Sequence, residues 1–270
     1  MNAKSSAAKG TRRSFLKNAA ISVAGVAIPL SALELVNPDK LFAEVAADKS
    51  AVRWAFLVDT YKCVGCGLCV KACKQENEIP YDANVSRTWV ERYVLTKDGE
   101  IHADSPKAAR DGFITSKIDL GRGEYQDVKN EEIEKAFFVP KLCNQCENPP
   151  CVQVCPVGAT YQAADGVVLV DRSWCIGCGY CIMACPYGVR FFHPVHHTAE
   201  KCNFCYHRIT KGLKSACVQA CPFGARQIGN IKDPNDPITK TIRTQRVAVL
   251  KSEYGTKPQV YYFGLDEEVR

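Results

Sequence analysis

The sequence predicts an α+β fold of two tandem modules, each built from cysteine loops, short helices and short strands. Two observations lead there. Sixteen cysteines in 270 residues divide into four groups of four with none left over. Short β-prone runs or turn signals recur after the second, third and fourth groups, so the groups form an internal repeat. Hydrophobic residues at 46% and charged residues at 24% are ordinary globular values and exclude a disordered or fibrous chain. At about 6%, cysteine stays below the roughly 8–10% of small disulfide scaffolds.

In chain order the first element is an address. Residues 11–17 read TRRSFLK, the apolar run Ala19 to Leu33 follows, and Ala43 and Ala47 offer small residues for cleavage. A basic start, an apolar core and small residues describe a secretory signal. The Arg12-Arg13 pair narrows it to the bacterial twin-arginine route, whose consensus the string resembles. The apolar run is too short for the roughly 20 residues that span a bilayer. Residues 1–47 are therefore expected to be a signal removed on export, leaving a periplasmic chain without a transmembrane helix. That route carries folded proteins, which suits a chain that receives its cofactors in the cytoplasm.

The cysteine groups come next. Group one is Cys63, Cys66, Cys69 and Cys73, spaced C-x2-C-x2-C-x3-C. Group two is Cys143, Cys146, Cys151 and Cys155, spaced C-x2-C-x4-C-x3-C and followed by Pro156. Group three, Cys175, Cys178, Cys181 and Cys185, repeats the spacing of group one and is followed by Pro186. Group four is Cys202, Cys205, Cys217 and Cys221, spaced C-x2-C-x11-C-x3-C and followed by Pro222.

The C-x2-C-x2-C-x3-C-P run belongs to the cubane [4Fe–4S] cluster, and its fourth cysteine ligates the other cluster of a pair. Three thiolates spaced this closely can curl around three corners of one cube. Gly65, Gly67, Gly177 and Gly179 suit such a loop, because glycine takes positive φ and allows close backbone approach. The proline after the last cysteine fixes φ and removes a donor, which turns that cysteine towards a neighbouring cube. Zinc prefers two C-x2-4-C pairs; group four alone fits that, whereas groups one and three crowd three cysteines into seven residues. Disulfides suit an exported protein, but C-x2-C-x2-C pairs poorly. Covalent haem needs C-x2-C-H, which does not occur.

Residues 74–142 separate the first two groups and read as an insertion, with a strand at Trp89–Val94 and a Gly- and charge-rich stretch at 97–130. A partner surface and a solvated excursion are equally open for it. Asp165-Gly166 between β-prone runs predicts a hairpin. Val189–Phe192 and Arg226–Ile231 are the expected later strands. Trp54, Trp89 and Trp174 are expected to pack in the interior. The His193-Pro-Val-His196-His197 patch is expected to be a solvated loop.

Four groups in this order resemble the four-cluster electron-transfer subunits of molybdenum or tungsten oxidoreductases and related quinone-linked complexes. These include the iron–sulfur subunits of dimethyl sulfoxide, polysulfide and tetrathionate reductases. The match runs over roughly residues 53–265 through CVGCGLCVKACKQEN, CNQCENPPCVQVCPVGA, CIGCGYCIMACPYGVRFF, KCNFCYHRI and CVQACPFGARQIG. The resemblance implies four [4Fe–4S] clusters, with group one paired to group four and group two to group three. Cluster A would take Cys63, Cys66, Cys69 and Cys221; cluster B, Cys202, Cys205, Cys217 and Cys73. Cluster C would take Cys143, Cys146, Cys151 and Cys185; cluster D, Cys175, Cys178, Cys181 and Cys155. Respiratory nitrate reductases replace one group-three cysteine by tryptophan and hold a three-iron cluster; here Cys178 is intact. Membrane formate dehydrogenases carry a C-terminal anchor, which the polar, aromatic residues 260–270 do not resemble.

The resemblance divides the chain into two bacterial two-cluster ferredoxin-like modules. The first comprises residues 48–73 with 202–231, and the second residues 143–201. Residues 74–142 are the insertion between groups one and two, and residues 232–270 a C-terminal extension. No dinucleotide fingerprint, phosphate loop or Ser–His–acid set occurs, so no substrate chemistry is expected on this chain. Its expected role is to relay electrons between a periplasmic catalytic subunit and a membrane quinone-reactive subunit or cytochrome. Whether that catalytic subunit holds molybdopterin is open. A free periplasmic polyferredoxin and a zinc-stabilised scaffold are the alternatives. The formal charge of +6 points to no nucleic acid. Residues 1–47 hold six basic and three acidic residues, and four oxidised thiolate-bound cubanes would add about −8, leaving the exported holoprotein near −5.

Overall fold

The structure is a computed structural model and describes residues 51–113, 117–121 and 124–269. The signal expected over residues 1–47 lies outside the described residues. The first strand, β1 (Trp54–Asp59), is almost wholly apolar because both its faces are covered. Phe56 and Val58 enter the main core with Phe204, Val260 and Tyr262, while Ala55 and Leu57 meet Ile238 on the other face. Group one follows, and its last two cysteines lie four residues apart on α1 (Leu68–Glu76), both buried. Residues four apart share a helix face, so Cys69 and Cys73 point inward together. Lys74, also buried, donates Nζ to the carbonyls of Pro80 and Ala83 at 3.2 and 2.7 Å, which folds the following loop back on the helix.

Residues 88–142 supply β2 (Thr88–Thr96), β3 (Ile101–Asp104), the short pair β4 (Ile118–Gly121) and β5 (Glu124–Gln126), and β6 (Ile133–Leu142). The strand expected at Trp89–Val94 is the middle of β2, which sits between β3 and β6 in an antiparallel sheet. The charge-rich stretch thus contains strands. Arg92, on β2, is buried and grips Asp104 through Nε at 2.9 Å and Nη2 at 2.7 Å, a bidentate pair across the β2–β3 register.

Group two leads into α2 (Pro150–Gln153) and then the hairpin β7 (Thr160–Gln162) and β8 (Val168–Val170), where Gly166 turns at φ 85° as the Asp-Gly signal requires. Group three continues into α3 (Tyr180–Met183), β9 (Phe191–Phe192) and β10 (Ala199–Glu200). The strand expected at 189–192 is shortened to two residues, because Val189 and Arg190 wall a cavity instead of pairing. Group four spans α4 (Tyr206–Ile209) and α5 (Ala216–Gln219) and ends in β11 (Arg226–Asn230). Beyond it come α6 (Pro237–Thr244), β12 (Val247–Ala248) and β13 (Val260–Phe263). Asp236 caps α6 by accepting from the Ile238 N–H at 2.9 Å, with Pro237 in the first turn.

These last elements are part of the sheet. Its order is β11-β1-β13-β12, with β11 antiparallel and β13 parallel to β1. Helices α1 and α5 pack together, as do α2 and α3. Group one is thereby set beside group four, and group two beside group three. Two sequence expectations need correction. Trp174 is 66% exposed, because it precedes Cys175 in a surface loop that no described element covers. His193 is buried, and its Nδ1 accepts the Val195 and His196 N–H groups at 3.2 Å each, while Pro194, Val195, His196 and His197 are exposed as expected of a solvated loop.

Candidate metal centres

All sixteen cysteines are free thiols. The loops that carry them share one backbone device. The residue before the second cysteine of every group is left-handed: Gly65 at φ 67°, Gln145 at 45°, Gly177 at 70° and Phe204 at 57°. Gly67 and Gly179 add a second left-handed residue in groups one and three. The glycines behave as the spacing predicts. Gln145 and Phe204 hide the same turn behind side chains that ordinarily avoid it, so the sequence concealed the full four-fold repeat. A Cβ at Gly67 would stand 2.1 Å from the Ala109 carbonyl oxygen. Gly67→Ala is therefore expected to lower the denaturant midpoint well beyond the roughly 1–2 kcal/mol of a left-handed residue. Gly99→Ala, at φ 87° with open space around it, is the control and should show that smaller loss alone.

The thiols gather in sets drawn from two groups. Cys63, Cys66, Cys69 and Cys221 line one small cavity, and Arg226 closes its wall. Cys143, Cys146, Cys151 and Cys185 line another, walled by Arg190 and Gln145. Cys73 is buried; burial, and then the adjoining Cys202, Cys217 and Cys205 thiols, push its thiol well up. The remaining four range from buried Cys181 to exposed Cys178. Cys175, Cys178 and Cys181 share the group-three loop, and Cys155 follows α2, which packs on α3.

The donors fit an anionic iron–sulfur group. Burial pushes the Cys63 thiol up to about 11 and Cys146 up to about 12. Thiols this reluctant to ionise alone bind metal as thiolates and lose their protons to it. Backbone N–H groups already point at sulfur: Thr160 at Cys155, Ala199 at Cys175 and Phe204 at Cys202, each at 3.4 Å. Against the opposing effect of burial, the Thr160, Val157 and Ala159 N–H groups hold the Cys155 thiol below its usual value. Asn77 Nδ2 reaches Cys73 Sγ at 3.5 Å and is itself held by Arg87, whose Nη1 donates to Asn77 Oδ1 at 2.6 Å.

Sequence reasoning missed the cations. Arg226, Lys201, Arg190 and Arg87 are all buried close to these thiols. A signal was present, since Arg190 and Arg226 each stand five residues after the last cysteine of their group. Only Cys66 and Cys178 are exposed. Next to Cys178 in the chain, Trp174, Ile176, Tyr180 and Met183 are exposed; next to Cys66, Val64 and Leu68 are exposed, and exposed Phe223 lines the same cavity as Cys66 and Val64.

Comparison with known proteins agrees with this chemistry. The 4Fe-4S dicluster domain matches twice, over residues 62–159 and residues 134–231. The B subunit of tetrathionate reductase from Salmonella typhimurium is 38% identical over 261 residues, covering 95% of this chain and 89% of the relative. Its namesake from Archaeoglobus fulgidus is 40% identical over 213 residues, covering 79% and 83%. The B subunit of selenate reductase from Mesobacillus selenatarsenatis is 33% identical over 270 residues, covering 85% and 80%. With two dicluster domains and sixteen cysteines providing for four [4Fe–4S] clusters, the chain belongs to the family of iron–sulfur electron-transfer subunits that includes the tetrathionate reductase B subunits.

Proposed function

We propose that this chain is the electron relay of an exported respiratory reductase, set between a periplasmic catalytic subunit and a membrane quinone-reactive subunit or cytochrome. In this reading the ligands are Cys63, Cys66, Cys69 and Cys221 for cluster A, and Cys202, Cys205, Cys217 and Cys73 for cluster B. Cluster C takes Cys143, Cys146, Cys151 and Cys185, and cluster D takes Cys175, Cys178, Cys181 and Cys155. Bound clusters supply one-electron transfer; the protein sets their potentials through burial, hydrogen bonds to sulfur and local charge.

The observation that carries the reading is the gradient of exposure along the four sets. Sets A and D each present one exposed cysteine in an apolar collar, while every cysteine of set B is buried. Electrons can then enter at one end and leave at the other, with the interior kept from water. Contiguous exposed apolar side chains mark docking sites, and two such collars suit two partners. The relatives' names, each a lettered subunit of a reductase, support a multi-subunit assembly. Residues 88–142 build a sheet of their own, in keeping with an insertion on a two-module plan. Among the described residues no helix is long and apolar enough to cross a membrane, so attachment would run through a partner. The twin arginine at Arg12-Arg13 carries the export part of the reading.

Purification of the full chain from membranes of its native host tests this. A catalytic and an integral membrane protein should co-purify, with about sixteen iron and sixteen sulfide per relay chain. A free monomer, or about four zinc in place of iron, would overturn it.

A further inference from the structure

Arg226, Lys201 and Arg190 are buried along the row of thiol sets, and among the described residues none of their side chains has a carboxylate as its hydrogen-bond partner. Arg226 is 2% exposed and lines the cavity of Cys63, Cys66, Cys69 and Cys221. Its Nη1 donates to Thr88 Oγ1 at 2.9 Å, and its Nη2 is buried without a partner. Arg190 is 4% exposed and lines the cavity of Cys143, Cys146, Cys151 and Cys185. Its Nη1 reaches Thr160 Oγ1 at 3.4 Å, and its Nη2 is likewise orphaned. Lys201 is 1% exposed, and its Nζ donates to two carbonyls, those of Val168 and Cys202. A buried charge without an opposite charge is strongly unfavourable. Arg87, by contrast, is paired with Glu200 at 2.9 Å.

Each cation faces thiols of two neighbouring sets. Arg226 lines the cavity of set A, where it faces Cys69 and Cys63, and it also neighbours Cys217 of set B. Arg190 lines the cavity of set C, and the Thr160 that it reaches points its own N–H at Cys155 of set D at 3.4 Å. Lys201 bonds the carbonyl of Cys202 in set B and that of Val168, which lines the cavity of set C. The three cations therefore stand at the A–B, B–C and C–D junctions, one at each. Thiolate-bound cubanes are net negative, and a row of them repels every added electron.

We propose that Arg226, Lys201 and Arg190 are the junction counter-charges of the relay, each offsetting the two clusters it separates and raising both their reduction potentials. Clusters held at these sites would exchange single electrons, with no proton or bond exchanged. The cation remains fixed, so the charge that favours reduction of one cluster also moderates the cost of reducing the next. This inference rests on the ligand sets proposed above.

The test is an electron-paramagnetic-resonance redox titration of the full chain in its complex, preceded by iron and sulfide analysis. Arg226→Gln should keep all four clusters while two of the four one-electron steps move. At a fixed potential the reduced fraction of each should fall about tenfold, equivalent to about 59 mV for one electron. Arg190→Gln should shift the other two, and Arg226→Lys should restore most of the loss. If Arg226→Gln does not assemble, Arg190→Gln and Lys201→Gln carry the same test at the other junctions. Four clusters with unmoved potentials would overturn the junction role alone. Fewer than four clusters in the unaltered chain would instead sink the ligand assignment beneath it.

Discussion

Replacing Cys221 by serine should remove the same cluster as replacing Cys66, although 155 positions separate the two in the chain. Both line one cavity with Cys63 and Cys69. Iron should fall from about sixteen to about twelve per chain in either variant, and the same spectroscopic signal should disappear. Cys185→Ser and Cys146→Ser should form a second such pair, since they share the other cavity. If ligation ran within each group, Cys221→Ser would instead abolish the signal lost on replacing Cys205. Iron analysis of the four variants with paramagnetic resonance of the reduced proteins decides between the two patterns. The expected effect is large because a cubane with three thiolates has an open corner, where water can attack.

Glu200→Gln should cost about 3–5 kcal/mol, the usual consequence of stranding one partner of a buried ion pair. Arg87 Nη2 lies 2.9 Å from Glu200 Oε2, and both side chains are almost fully buried. Arg172 Nη2 reaches the same oxygen at 2.8 Å from a more open position. The pair joins Arg87, just before β2, to β10, immediately ahead of group four, so its loss loosens the sheet of residues 88–142 from the cysteine loops. Against a typical domain stability of about 5–15 kcal/mol that is a large fraction. Denaturant midpoints followed by cluster absorbance measure it. Arg87→Met with Glu200→Leu should recover much of the loss, because no buried charge is then left alone.

The pH dependence follows the same pair. Burial pushes the Glu200 carboxyl up, but Arg87 and Arg172 outweigh it and hold it below the usual 4.5. A carboxylate whose pKa is lowered on folding stabilises above its unfolded value and loses that contribution as pH falls through the folded one. The unaltered chain should therefore weaken below about pH 4.5, and Glu200→Gln should flatten that limb.

How far the molecule could be read from its residues varies by element. Cofactor type was legible in cysteine spacing, because three thiolates in seven residues suit a cube and little else. The hairpin at Asp165-Gly166 was legible because few dipeptides tolerate its turn. The strand at 189–192 was overextended, since apolar residues that wall a cavity look the same in sequence as those that pair. Trp174 was read as interior because tryptophan usually is; its exposure depends on what lies above it, which no local pattern records. The left-handed Gln145 and Phe204 were illegible because neither residue prefers that backbone, and the surrounding loop imposes it.

The sequence by itself determined the chemistry: sixteen thiol donors, their grouping, and an arginine five places after the last cysteine of groups three and four. Only the tertiary structure decided which donors meet. It set Cys221 beside group one and Cys185 beside group two, drew β13 in next to β1, and buried Arg226, Lys201 and Arg190. Spacing along the chain governs what a loop can wrap, because a few bonds limit its reach. What lies between two loops depends on helices and strands far apart in sequence, which are brought together by the burial of Phe56, Val58 and their partners.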